Sequence, residues 1–136
     1  MSTEQLLYKE ESYKIRGACF SVYNVLGGGI REKIIQRAFV NELESLGFDV
    51  EKEVGIEILC KGEKVGTYIP DVVVNNKIII EIKSKPFLII EDKKQFWGYL
   101  KGSNYKLGFL IGFTPQKLEI GRFVHTKNPY KSVKSV

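Results

Sequence analysis

Tyr68-Ile69-Pro70-Asp71-Val72-Val73-Val74-Asn75-Asn76-Lys77-Ile78-Ile79-Ile80-Glu81-Ile82-Lys83 is the stretch on which the fold turns. Two strongly β-prone runs flank a polar turn, and within those runs charge appears only at Asp71, Glu81 and Lys83. A charge inside an otherwise apolar strand costs free energy unless it is paired or binds a metal. Val72-Val73-Val74 and Ile78-Ile79-Ile80 are apolar at successive positions, so both faces of these strands need cover. That pattern predicts a central place in a sheet with helices on each side.

Glu81 and Lys83 are two apart on a strand and leave the same face, while Ile80 and Ile82 point into the core. The turn decides where Asp71 points. A two-residue loop, Asn75-Asn76, pairs Asp71 with Ile80 and puts it on the face away from Glu81. A three-residue loop, Asn75 to Lys77, sets Asp71 opposite Glu81. Like charges directly opposed across a sheet repel, which makes sense only with a cation between them. The expectation is the second register, or a bulge with the same effect. All-oxygen ligands without thiolate or imidazole nearby favour Mg²⁺ or Mn²⁺ over zinc. Such an ion polarises a scissile phosphate and acidifies a water, which suits phosphodiester hydrolysis. Lys83 would neutralise charge on the phosphorane or orient the attacking water.

Outward from this hairpin, apolar spacing predicts a helix from about Glu11 to Leu26, ended by Gly27-Gly28-Gly29. A second helix is expected from about Ile30 to Leu46, with Glu32 in its first turn and Gly47 as its stop. Strands are expected at Val50–Leu59, Val65–Val74 and Ile78–Ser84, the last broken by Pro86. A helix from about Ile89 to Leu100 follows, then strands at Lys106–Gly112 and Leu118–Val124. The order is ααβββαββ, an α/β domain whose sheet starts antiparallel and then takes a helical crossover. Gln95 and Tyr99 share one face of the third helix, where an amide and a phenol could hold a water or a phosphate oxygen. Phe96 and Trp97 are expected to pack, and His125 to lie on the surface.

With 136 residues, one domain is expected: a flexible 1–10, a domain over 11–125 and a basic tail over 126–136. The net charge of +5 permits a polyanionic partner. No acid follows Glu119, while Arg122, Lys127, Lys131 and Lys134 do. Cys19 and Cys60 are isolated, which speaks against a zinc site and for a reducing, cytoplasmic compartment. No run is apolar enough over a bilayer's thickness, so no membrane partner is expected.

Taken together, Pro70-Asp71 followed by Glu81-Ile82-Lys83 resembles the PD-(D/E)xK nuclease superfamily. Gly29-Ile30-Arg31-Glu32-Lys33-Ile34-Ile35 is similar to the segment that names its GxxExxF branch, with Ile35 where that name has an aromatic residue. Gln95-Phe96-Trp97-Gly98-Tyr99 resembles the QxxxY motif of RecB-like nucleases, and the likeness runs from about Tyr13 to Arg122. The resemblance implies a three-layer, restriction-endonuclease-like α/β fold, a mixed central sheet flanked by helices. It further implies Glu32, Asp71, Glu81 and the Ile82 carbonyl as ligands of Mg²⁺ or Mn²⁺, Lys83 as the catalytic lysine, and Gln95 with Tyr99 as its supporting pair. The activity expected is hydrolysis of nucleic acid, DNA first. The alternative is a silent nucleic-acid-binding module of the same fold within a repair or recombination complex. A homodimer would supply the DNA-clamping surface that so small a domain does not obviously carry.

Overall fold

The computed structural model describes residues 3–126. Four helices, α1 (Thr3–Leu6), α2 (Lys9–Leu26), α3 (Glu32–Ser45) and α4 (Ile90–Gly102), accompany seven strands. These are β1 (Val50–Glu51), β2 (Ile56–Cys60), β3 (Glu63–Tyr68), β4 (Val72–Val74), β5 (Ile78–Lys83), β6 (Leu107–Phe113) and β7 (Leu118–Val124). The main sheet has the order β1-β4-β5-β6-β7, and β2-β3 form a separate hairpin. Only β5 and β6 run parallel, joined through α4. The other neighbours are antiparallel. This is the expected mixed α/β architecture, with the run Ile78-Ile79-Ile80 fully buried at its centre.

Strand alternation sorts the core into two layers. Val72, Val74, Ile78, Ile80, Ile82, Phe109 and Ile111 face α2 and α3, which contribute Ile15, Cys19, Ile35, Phe39 and Leu43. Val73, Ile79 and Leu110 face the other way and meet Phe96 and Leu100 of α4 together with Ile56 and Tyr68 of the hairpin. Each large side chain so buried stabilises the fold by about 1.5–3 kcal/mol relative to exposure. Trp97 packs against Phe123 and His125. His125 is thereby half-buried rather than on the surface, and its backbone N–H donates to the Lys106 carbonyl at 2.9 Å.

Two strands expected to be continuous are each broken. The run Val50–Leu59 is interrupted after Glu51 by a turn with Glu53 in the left-handed region (φ 61°). The run Val65–Val74 is interrupted by Pro70, which has no N–H to give a ladder. The two breaks let β1 and β4 stay in the main sheet while β2 and β3 fold over α4. That hairpin closes through Lys61 and Gly62, both at positive φ, the backbone of a tight two-residue hairpin turn.

The short helix α1 lies within the stretch expected to be flexible. Arg122 sits in β7, within the strand expected there, and ties α1 and the start of α2 down. Its guanidinium donates to the carbonyls of Glu4 and Leu7 and to the Ser12 hydroxyl. Lys127, Lys131 and Lys134 of the expected tail lie outside the described residues. Gly28 ends α2's approach for a steric reason: a Cβ there would stand 2.1 Å from the Thr114 carbonyl oxygen. Tyr23 holds the same turn by donating to that oxygen at 2.7 Å. No helix among the described residues is long and apolar enough to cross a membrane.

Candidate active site

β5 carries Glu81 and Lys83 to the α4 side of the sheet. β4 pairs with it as Val72 with Ile80, Val73 with Ile79 and Val74 with Ile78, leaving a three-residue loop, Asn75 to Lys77. Asn75 and Asn76 both take left-handed φ, a conformation asparagine tolerates better than most residues. One step beyond the last pair, this register sets Asp71 across from Glu81, the arrangement the charges required.

Pro70 ends the ladder, and the Asp71 side chain takes over from the missing strand. Its Oδ2 accepts from the Ile82 N–H at 2.7 Å. The Asp71 N–H reaches toward Glu81 Oε1 at 3.4 Å, a long contact. Tyr68 donates its hydroxyl to the same oxygen at 2.7 Å. The other Glu81 oxygen, Oε2, lies 3.9 Å from the Lys83 ammonium. The Tyr68 ring stacks on Tyr99, with centroids 4.0 Å apart and planes 9° from parallel. Gln95 and Tyr99 of α4 line one small crevice with Tyr68, Glu81, Lys83 and Asp92.

Burial pushes the Glu81 carboxyl up to about 6, and the Asp71 charge adds to this; the Tyr68 hydrogen bond and Lys83 oppose it. Asp71 is also raised, first by burial and further by the Glu32 charge, against the Ile82 N–H and Lys83. Burial and then the Glu81 charge hold the Tyr68 phenol far above its ordinary range, so it remains a donor. Two half-buried carboxylates that resist ionisation so close together are a site that gains by taking up positive charge. Their oxygens suit a hard divalent cation.

Glu32 stands apart. It is the first residue of α3 and is exposed, and its Oε1 accepts from the Ser84 N–H at 2.9 Å. Ser84 in turn donates its hydroxyl to the Ile30 carbonyl, fastening the end of β5 to the start of α3. Among the described residues no three His, Cys, Asp or Glu side chains are gathered tightly enough to hold one ion as they stand. The structure thus brings Asp71, Glu81, Lys83, Gln95 and Tyr99 together and leaves Glu32 engaged one step away, within electrostatic reach of Asp71.

Three contributors escaped sequence reasoning. Tyr68 gave no signal, because its bond to Glu81 depends on the chain breaking at Pro70. Gln36 donates to the Asp71 carbonyl at 3.2 Å, and its place one turn after Glu32 on the same helix face was a usable sign. Asp92 accepts from both the Ile89 N–H and the Lys85 ammonium, fixing the first turn of α4 beside Lys83. Its position at the helix start fits a capping acid.

A crystal structure of the protein SSO0001 superposes with a TM-score of 0.52 at 21% identity, covering 89% of this chain and 61% of that one. That likeness speaks to the fold alone, and the chain spans less than two thirds of that protein. No curated protein matches at a significant level. A family model described as the PD-(D/E)XK nuclease superfamily matches residues 9–123, from the start of α2 almost to the end of β7. With Pro70-Asp71 and Glu81-Ile82-Lys83 at its centre, the chain belongs to the PD-(D/E)XK nuclease superfamily.

Proposed function

We propose that this protein is a divalent-metal-dependent nuclease that hydrolyses phosphodiester bonds in DNA. The observation that carries the reading is the pair Asp71 and Glu81, both half-buried and both raised, with the Lys83 ammonium 3.9 Å from Glu81. Glu32, Asp71, Glu81 and the Ile82 carbonyl would hold Mg²⁺ or Mn²⁺, with Glu32 exchanging the Ser84 N–H for the ion. When bound, the ion supplies Lewis acidity toward the phosphate and a more acidic water.

The chain's own groups do the rest. Tyr68, itself held by the Tyr99 ring, fixes Glu81 through one oxygen and leaves the other toward Lys83. Lys83 brings positive charge to the place where phosphoryl oxygens gain negative charge, the kind of stabilisation that dominates many hydrolytic barriers. Gln95, exposed on α4, would position a water or a phosphate oxygen. We further place the chain in the GxxExxF branch, on Gly29 and Glu32, and read Gln95 and Tyr99 as its QxxxY pair. A second copy of the chain would widen the surface offered to DNA.

The test is cleavage of labelled single- and double-stranded oligonucleotides with Mg²⁺ or Mn²⁺. Asp71→Ala should abolish cleavage, and Lys83→Ala should cost roughly 10²–10³-fold in rate, the loss typical of removing one such electrostatic group. Unchanged cleavage in either variant refutes the assignment. Salt-sensitive binding without cutting under any divalent ion would leave the silent binding module.

A further inference from the structure

On the α3 side of Asp71 a cleft of about 800 Å³ opens between the first two turns of that helix, the Lys52–Glu53 turn and the Ile69–Pro70 segment. Lys33 and Arg37 form one wall and Lys52 another. Lys33 and Arg37 lie one turn apart, about 6 Å along the helix. All three cations are exposed, and among the described residues none enters a salt bridge, whereas Lys64, Lys77, Lys83 and Lys85 each do. Glu53 and Asp71 are the acids that line the cleft. Gln36 also lines the cleft, and its side chain donates to the Asp71 backbone carbonyl, which ties α3 to the Asp71 backbone.

A solvated helix face is the ordinary meaning of exposed lysines. Here the charges enter no salt bridge among the described residues, come from two separate elements, and line a concavity that a proposed reacting group, Asp71, also lines. We propose that this cleft seats a single nucleic-acid strand, its phosphates following Lys33, Arg37 and Lys52 so that the backbone is delivered to Asp71. A concavity of this size is that of a ligand pocket rather than of a duplex-wide face. A basic groove that tracks one backbone is how single strands are held without sequence preference. Ile69, 60% exposed on the wall, offers apolar contact to an unpaired base. The inference rests on the nuclease reading for the identity of the ligand.

The test is the anisotropy of a fluorescein-labelled oligo(dT) and of a matched duplex, titrated over a range of KCl in EDTA and in Ca²⁺, with cleavage assayed in parallel. Releasing counterions from a single strand gives a log–log salt slope of about −0.7 per neutralised phosphate. Lys33→Ala, Arg37→Ala and Lys52→Ala should each flatten the oligo(dT) slope by about 0.7, and the triple variant by about 2, with weaker binding at every salt concentration. Lys64→Ala, on the remote hairpin, should leave it unchanged. A triple variant with wild-type slope and affinity for oligo(dT), or one weakened for the duplex only, overturns the cleft while cleavage by the wild type upholds the nuclease. A wild-type protein that neither binds nor cuts DNA overturns both.

Discussion

Replacing Glu81 by glutamine in protein stripped of metal isolates the electrostatic tension at the site. Glu81 has an ordinary value of 4.5, and burial together with the Asp71 charge raises it to about 6 in the folded chain. The folded state therefore holds this proton more tightly than the unfolded state does. The stabilisation that follows is complete below pH 4.5 and is lost as pH rises through about 6. The gap corresponds to about 2 kcal/mol, and the Glu81 side chain, only 19% exposed, is shielded from solvent screening. Glutamine carries no charge at any pH, so the variant should gain about 2 kcal/mol on the wild type between pH 4.5 and pH 7.5. Urea unfolding in EDTA, followed by the fluorescence of Trp97, the chain's single tryptophan, measures the difference. Adding Mn²⁺ at pH 7.5 should reverse the order, because an ion that binds only the folded wild type stabilises it by mass action. Stability differences that stay parallel across this pH range would refute the claim that Glu81 is held against its preference.

Tyr68→Phe removes the hydroxyl that donates to Glu81 and should cost about 1.5–3 kcal/mol at pH 7.5, the range for a hydrogen bond to a charged group, with a smaller cost at pH 4.5 by the same unfolding assay. Gly28→Ala would drive a Cβ into the Thr114 carbonyl and should lower the melting temperature, whereas Gly17→Ala, on the open face of α2, should raise stability by about 0.5–1 kcal/mol. Arg122→Ala frees the Glu4 and Leu7 carbonyls and should speed amide exchange in residues 4–12 well before it affects β5.

The central hairpin was legible because its signals agree. Six β-branched residues and an asparagine turn mark the hairpin, and of the two registers its loop allows, the charges favour the one that the structure adopts, with Asp71 against Glu81. The three longer helices, α2, α3 and α4, were legible to within a few residues for a like reason, their apolar stripes being regular. The breaks at Glu53 and Pro70 were not, since each depends on where the chain goes next. Val50 can pair with Val74 and Tyr68 can reach Glu81 only after the β2–β3 hairpin has left the main sheet for α4. Contacts of that kind join elements, and no local pattern encodes them. Glu32 illustrates the limit. Its place in the first turn of α3 followed from the sequence, but its bond to Ser84, more than fifty positions away, did not.

Anomalous scattering from a crystal soaked in Mn²⁺ addresses the site most directly. One strong peak within bonding distance of both Asp71 and Glu81, with Glu32 swung away from the Ser84 amide to join it, is the predicted result. A peak elsewhere, or none at Mn²⁺ concentrations that support cleavage, would contradict the metal-dependent mechanism.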